Sequence, residues 1–426
     1  MVSPVATEVP ARGLRILSIC RSLPTPDDPS SGIFVLNRLA AMREQADVQV
    51  IQQIPYFPLL KPVPRWAEAD SRSVGPLSIL HAPMFYTPGV FKSLDSFWLQ
   101  AAIGPLVERI HRRQPIDLID AHFGYPEGVS CMRIGRRLGI PVFTTIRGFE
   151  AEYVSKSGIG GQMVSALRAA TGCISVSHSL RDLAIRHGVD ADRVRVVHNA
   201  IDASIFHWRE RGEARVRLDF AMKQPLIVSV GHLISRKRHH VLIEAFAEVR
   251  RSFPNAVLAV IGGRAFEPDY PELLTTRARE LNVLEAVRFI GNLPPADVAT
   301  WLAAADSFAL ATAREGCCNA VLEALAMGVP AITTDVGDNA HFVKDELNGH
   351  IVPVDDAAAL ARALTQSLRK PDWDRQRISR QVLADVGSWH GVAARVLDFM
   401  RERLVNPGPS VHSGLSSAGR AVGAQR

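Results

Sequence analysis

Two carboxylates stand eight positions apart in Glu315-Gly316-Cys317-Cys318-Asn319-Ala320-Val321-Leu322-Glu323, and the second lies inside an apolar run. From Ala320 to Met327, Glu323 is the single polar side chain, and Gly328 with Pro330 just beyond predicts where a helix over this run stops. An unpaired buried carboxylate costs several kcal/mol or shifts its pKa, so something must hydrogen-bond it. A core arginine would serve. So would a ligand, and the two vicinal hydroxyls of a ribose suit a bidentate acceptor. The predicted helix start at Cys318 and Asn319 presents backbone N–H groups and a positive dipole end, a seat for phosphate. Glu315, in the loop before it, is then placed to accept hydrogen bonds from a sugar, or else is merely solvated.

A second cluster follows the apolar run LIVSV (226–230). His232, Arg236, Lys237, Arg238, His239 and His240 are all cationic or titratable, behind Gly231. Cations at a helix start oppose the helix dipole, and that conflict favours a diphosphate partner, with Lys237 as the point charge and His232 beside it. Weaker signals lie in the first half. Gly32, in Ser31-Gly32-Ile33-Phe34, lets backbone approach a ligand, although no GxGxxG fingerprint accompanies it. His122 in DAHFGYPEG and Arg147, Gly148 and Glu150 in TIRGFEAEY place polar groups after strand-like runs, where a sugar or acceptor pocket could form; a structural role for His122 is the alternative. Cys317-Cys318 lacks a resolving partner or metal spacing, Asp335 and Asp338 fit a loop as well as a metal site, and no GxSxG elbow supports hydrolysis. No metal is expected.

These residues need a frame in which loops follow strands. Apolar runs LRILSI, VQVIQ, DLIDAH, PVFTT, CISVS and VRVVH, and then LIVSV, AVLAVIG, VRFIG, DSFALAT, PAITT and HIVPV, alternate with helical patterns. Val241, Leu242, Ala245, Phe246 and Val249 line one helix face. Strands without polar alternation between amphipathic helices mean parallel sheets covered on both sides. The fold class is therefore α/β, with two doubly wound Rossmann-like domains facing across a cleft. In such sheets ligands bind beyond the strands' carboxyl ends. The charged stretch WRERGEARVRLDFAMKQ sets the junction, giving domains over 14–206 and 207–387, a helix over 388–405 packing back on the first, and disordered ends at 1–13 and 406–426.

Among 426 residues, 47% are hydrophobic and 22% charged, as in globular proteins, and 49 basic against 43 acidic residues leave a net charge of +6. That mild excess suits anionic ligands or an anionic membrane surface; no basic stripe interleaved with aromatics points to nucleic acid. Five cysteines without CxxC spacing predict a reducing compartment, and the N-terminus shows no signal-peptide pattern, so a cytoplasmic protein is expected, peripheral on the inner face of the membrane at most.

Taken together, EGCCNAVLEALAMGVPAITTDVG, VSHSLRDLAIRHGVDADRVRVVHNAIDASIF and VGHLISRKRHHVLIEAF resemble the family 4 glycosyltransferases of GT-B architecture over about Leu14 to Leu404. GIFVLNR and TIRGFE are most similar to a subgroup that builds bacterial cell-surface polysaccharides, of the teichuronic-acid type. The resemblance implies a retaining, metal-independent transfer of a sugar from a UDP- or GDP-sugar to a hydroxyl, with no cofactor. It implies that Glu323 binds the donor ribose and Glu315 the donor sugar. Lys237, with Arg236, His232 and Gly231, would meet the diphosphate, while Gly316 and backbone at Cys317, Cys318, Asn319, Ala320 and Val321 form the phosphate-binding helix start and Gly32 lies near the phosphates. His122 and Arg147 would complete the catalytic set, and Glu150 would stand on the acceptor side. Three positions depart from the family pattern: His232 replaces an arginine, Arg147 replaces a histidine, and GDNAH puts His341 where a carboxylate is usual.

The subgroup also implies a polyprenyl-linked or other lipid-linked glycan acceptor. Residues 56–66 (YFPLLKPVPRW) and 91–114 mix aromatics, leucines and cations, so they could lie on an anionic leaflet; packing on the first sheet is the alternative. A sugar-nucleotide epimerase of the same architecture and a catalytically silent scaffold protein are the competing readings. The first would turn over without an acceptor, and the second would consume no donor.

Overall fold

The computed structural model describes residues 13–29, 31–58, 60–264, 267–370 and 372–406. Apart from Gly13 and Asn406, the ends read from the sequence as disordered lie outside the described residues. The chain forms two compact units. One holds the described residues up to Ser175, Arg181–Arg195 and the described residues from Ala393; the other holds those of Val176–Leu180 and Val196–Val392.

In the first unit, eight strands share one sheet: β1 (Arg15–Ile19), β2 (Asp47–Tyr56), β3 (Ser71–Val74), β4 (Leu77–Phe85), β5 (Leu118–His122), β6 (Val142–Ile146), β7 (Gly172–Ser175) and β8 (Val194–Val196). Their order is β3-β4-β2-β1-β5-β6-β7-β8. The β3–β4 pair is antiparallel and does not appear among the strand-like runs singled out in the sequence. It is a hairpin turning at Gly75, and β4 alternates buried and exposed positions as an outer strand of such a sheet does. The C-terminal helix, Trp389–Val405, supplies Phe399, whose ring meets Phe143 of β6 edge-on at 6.1 Å, and Arg403, whose Nε donates to the Thr171 carbonyl at 3.3 Å.

In the second unit β9 (Leu226–Val230), β10 (Val257–Ile261), β11 (Val287–Gly291), β12 (Ser307–Leu310), β13 (Ala331–Thr334) and β14 (Gly349–Val352) form a parallel sheet ordered β11-β10-β9-β12-β13-β14. Leu226 and Val228 join one apolar cluster while Ile227 joins another, and β10 and β12 alternate likewise. Both faces are thus covered, which is why these strands read as unbroken apolar runs. All five apolar residues expected on one face of the helix His239–Ser252 are buried.

The division falls at Val196 rather than at the expected 206/207 junction, because Ile201 and Phe206 belong to the second unit's core. The charged stretch lies within the second unit rather than at the junction. Residues Arg211–Arg217 form a helix, and Arg215 is fully buried, bonded to Asp306 Oδ2 at 2.6 Å and to the carbonyls of Ala304 and Gln224 at 2.9 and 2.8 Å.

Candidate functional site

The second sheet reverses its strand order between β9 and β12, and ligands of doubly wound sheets bind beyond the carboxyl ends at such a reversal. The two loops that leave these strands carry Lys237 and Glu315. Lys237 Nζ donates to Glu315 Oε1 at 2.7 Å, and Thr312 Oγ1 donates to the same oxygen at 2.9 Å. The Ala313 N–H donates to the Arg236 carbonyl at 2.8 Å, lacing the loops together. Gly231 leaves room for the lysine stem, since a Cβ there would meet Lys237 Cε at 3.3 Å. Burial alone would lower the Lys237 pKa, but the Glu315 carboxylate outweighs it and the ammonium is held above its ordinary value. Burial likewise pushes Glu315 up, and the lysine charge carries it below the ordinary carboxylate value. Both groups are therefore ionised at neutral pH.

The other cations of the cluster separate. Arg238 pairs with Asp355 at 2.8 Å, and His240 Nδ1 meets the Tyr270 hydroxyl at 2.8 Å. His239 is buried, which, with the Lys237 charge, takes it down to about 4 and keeps it neutral. Arg236 and exposed His232 stay beside Lys237 in the loop.

The helix after β12 runs Asn319–Ala326 and stops before Gly328, which adopts φ 73° as a helix terminator does. Cys318 precedes it with no side-chain cap, so the N–H groups at Asn319 and Ala320 begin the helix without intrahelical acceptors. Asn199 Nδ2 donates to Asn319 Oδ1 at 3.0 Å, fixing that side chain. Val321 is buried, and Cys317 and Ala320 are half-buried, against the same core. Glu323 is half-buried, and its carboxylate makes no hydrogen bond or ion pair with a described residue. Burial pushes its pKa up to about 7, with Lys237 pulling it back down. Gly337, at φ 59°, packs against this loop so closely that a Cβ would meet the Gly316 carbonyl at 2.7 Å and the Glu315 carbonyl at 2.9 Å.

The first unit has its own order reversal, between β1 and β5. Gly32, at φ 62°, starts the helix Ile33–Arg43, and a Cβ there would run into the Ser22 carbonyl. His122 ends β5 fully buried. Its Nε2 lies 3.1 Å from Asp120 Oδ2 and its Nδ1 3.4 Å from Arg147 Nη2. Burial lowers His122 to about 4, so the neutral ring donates from Nε2 to Asp120 and accepts from Arg147 at Nδ1. Burial, reinforced by nearby Arg38, brings Arg147 down to about 9, still protonated at neutral pH. Glu150 is occupied locally: Oε1 accepts from the Gly124 N–H at 2.8 Å, and Oε2 from those of Arg147 and Gly148 at 2.9 and 2.8 Å. It positions the loops after β5 and β6.

Several groups emerge only in three dimensions. Arg38, on the helix Ile33–Arg43, bonds Asp120 at 2.6 Å and Thr145 at 3.0 Å, holding the His122 network from a residue far away in sequence. Glu127 is fully buried and accepts from Gln53 Nε2 at 2.5 Å, and burial pushes it up to about 7. Asp338, set aside in the sequence as a loop residue, is buried between His178 and His198. The segment at 91–114 splits in two. Leu99, Ile103 and Val107 of the helix Asp95–Arg113 pack inward, whereas Phe91, Leu94 and Phe97 face outward. Among the described residues no helix is long and apolar enough to cross a membrane.

Two Rossmann-like units, each with its polar groups at an order reversal, make up the GT-B architecture. Residues 39–205 match the family model described as Glycosyltransferase Family 4, and residues 210–383 match Glycosyl transferases group 1. The chain belongs to glycosyltransferase family 4. It is 26% identical to a D-inositol 3-phosphate glycosyltransferase of Frankia alni, over 72% of this chain and 80% of that protein. It is 31% identical to TuaC, a Bacillus subtilis glycosyltransferase named for teichuronic acid biosynthesis, over 60% of this chain and 62% of that one. The fold is also that of Anabaena HepE, solved in complex with UDP and glucose, with a TM-score of 0.70 and 18% identity, covering 91% of this chain and 99% of HepE.

Proposed function

We propose that this glycosyltransferase is a retaining, metal-independent hexosyltransferase that moves a sugar from a UDP- or GDP-sugar to a hydroxyl of a lipid-linked glycan, in surface polysaccharide synthesis on the cytoplasmic face of a bacterial membrane. The observation that carries the donor assignment is Glu323, a half-buried carboxylate with no hydrogen-bond or ion-pair partner among the described residues, one helix turn from a helix N-terminus and within reach of the Lys237 charge. A ribose diol supplies the missing donors. The helix start and Lys237 then take the diphosphate, with Arg236 and His232 beside them, and Glu315 takes sugar hydroxyls. A cavity of about 480 Å³ beyond the ends of β10 and β11, lined by Leu233, Gly262, Gly263, Arg264, Phe289 and Gly291, is of a size that supports a base-binding role for it.

As the anomeric bond breaks, charge grows on the β-phosphate. Lys237 has three N–H donors, so it keeps Glu315 and still meets that charge with a second bond. The departing phosphate oxygen, on the same face as the incoming hydroxyl, takes its proton. Within the first unit, neutral His122 orients the Arg147 guanidinium, 3.4 Å from its Nδ1.

The acceptor assignment is supported by an outward face of the first unit. Leu60, Val90, Phe91, Leu94 and Phe97 are exposed, and Lys61 and Lys92 both lie over the Tyr86 ring, at 5.6 and 4.6 Å. Apolar anchors next to cations suit an anionic bilayer surface.

Calorimetric titration with intact UDP- and GDP-sugars at pH 6 and pH 8 tests the donor reading. The ionised Glu323 accepts ribose hydrogen bonds, and its pKa near 7 means that raising the pH ionises it, so binding tightens about tenfold across this window. Glu323→Gln should flatten that dependence and bind more weakly. The reading fails if neither nucleotide sugar binds, or if the variant matches the parent at both pH values.

A further inference from the structure

Three nitrogens crowd one oxygen of Asp338. His178 Nδ1 lies 2.9 Å from Oδ2, His198 Nε2 lies 2.8 Å from it, and the His178 backbone N–H donates to it at 2.7 Å, while Oδ1 accepts from the Ser179 N–H at 3.1 Å. The carboxylate is 4% exposed, and the two backbone bonds hold it rigidly. Nothing in sugar transfer as derived above uses these groups. A carboxylate oxygen offers two lone-pair sites, so three donors at such distances over-fill it.

We propose that His178, His198 and Asp338 form a binding site for a divalent transition-metal ion of the zinc class, within the second unit and separate from the groups assigned to the diphosphate. Nitrogen and oxygen ligands at 2.0–2.1 Å around a tetrahedral ion stand about 3.3 Å from one another. The present 2.8 and 2.9 Å separations need to open by only a few tenths of an ångström, and all three ligand atoms already lie within 4.8 Å of one another. Two imidazoles on one such ion have ring centres about 5.2 Å apart by the same geometry. Those of His178 and His198 are 5.2 Å apart. The His341 ring centre lies 5.1 Å from that of His178 and 5.2 Å from that of His198. Two imidazoles with one carboxylate select zinc-class ions over magnesium or calcium, which take all-oxygen shells. On binding, each imidazole uses the nitrogen that now meets Asp338, and its ring proton moves to the other nitrogen.

The ion would tie together three segments of the second unit: 176–180, 196–199 and the Gly337–Asp338 turn. Gly337 packs on the Glu315–Gly316 backbone, so occupancy would stiffen the support of the donor loop. Untagged, chelator-treated full-length protein should be titrated with zinc against a chromophoric chelator, and with cobalt(II) for the visible absorption of a tetrahedral nitrogen–oxygen site. One ion per chain is expected, with a dissociation constant of about 1 µM or tighter. His178→Gln and His198→Gln should each weaken binding at least about tenfold. His207→Gln, in another part of the chain, should leave binding unchanged. Far-UV circular dichroism and metal-free melting of every variant verify folding. The proposal is overturned if the parent shows no saturable zinc binding, or if folded His178→Gln and His198→Gln bind as tightly as the parent. Because the readout is metal binding, its failure leaves the donor assignment standing.

Discussion

Lys237 and Glu315 illustrate what a single pair of residues can decide. Each alone would be forced toward its neutral form by burial; together they hold each other charged. An ammonium kept ionised in a low-dielectric loop is worth most where negative charge appears during reaction. Lys237→Ala should therefore lower kcat by roughly 10²–10³-fold while KM changes only a few-fold. Steady-state kinetics checks this, and equal losses in both constants would assign Lys237 to ground-state binding instead. The paired acids Glu315 and Glu323 stood out in the sequence because an isolated carboxylate in an apolar octapeptide is costly. His122 also stood out, but its partners did not. Arg38 and Asp120 look like an ordinary helix arginine and strand aspartate until the fold brings them to 2.6 Å.

At the scale of elements, Arg211–Arg217 shows how composition misleads. Its charge suggested a domain junction, yet the helix docks because the Arg215 guanidinium is fully paired with Asp306 and backbone carbonyls. Removing one side of a buried ionic network leaves the rest uncompensated. Arg215→Ala should cost about 3–5 kcal/mol in urea denaturation; a loss under about 1 kcal/mol would mean the carbonyls and Asp306 find water instead. The β3–β4 hairpin was hidden for the opposite reason. β3 has no buried residue and β4 breaks its buried positions with exposed and half-buried ones near the sheet's edge, so they lack the continuous apolar run that reveals the central strands.

Over the whole molecule, a net charge of +6 and one exposed apolar face on the first unit point the same way. Burying two phenylalanines contributes about 1.5–3 kcal/mol each, and each lysine near an anionic surface about 1 kcal/mol. The protein should float with phosphatidylglycerol-containing vesicles at low salt and less so as salt rises. Phe91→Ser with Phe97→Ser should reduce the bound fraction at least about tenfold; flotation unchanged by that double variant would exclude this face as the contact.

The sequence alone determined the two parallel-sheet units, the helix that carries Glu323 and the cationic loop that carries Lys237. Those signals are local: apolar runs, a helix stop at Gly328 and an unexplained charge are each written within about ten residues. Tertiary structure alone decided which charges meet. It paired Arg238 and His240 away from the lysine beside them, buried Arg215, and gathered His178 and His198 around one oxygen of Asp338. Such encounters depend on strand order and loop path, and no spacing along the chain encodes a distance between side chains up to 160 residues apart.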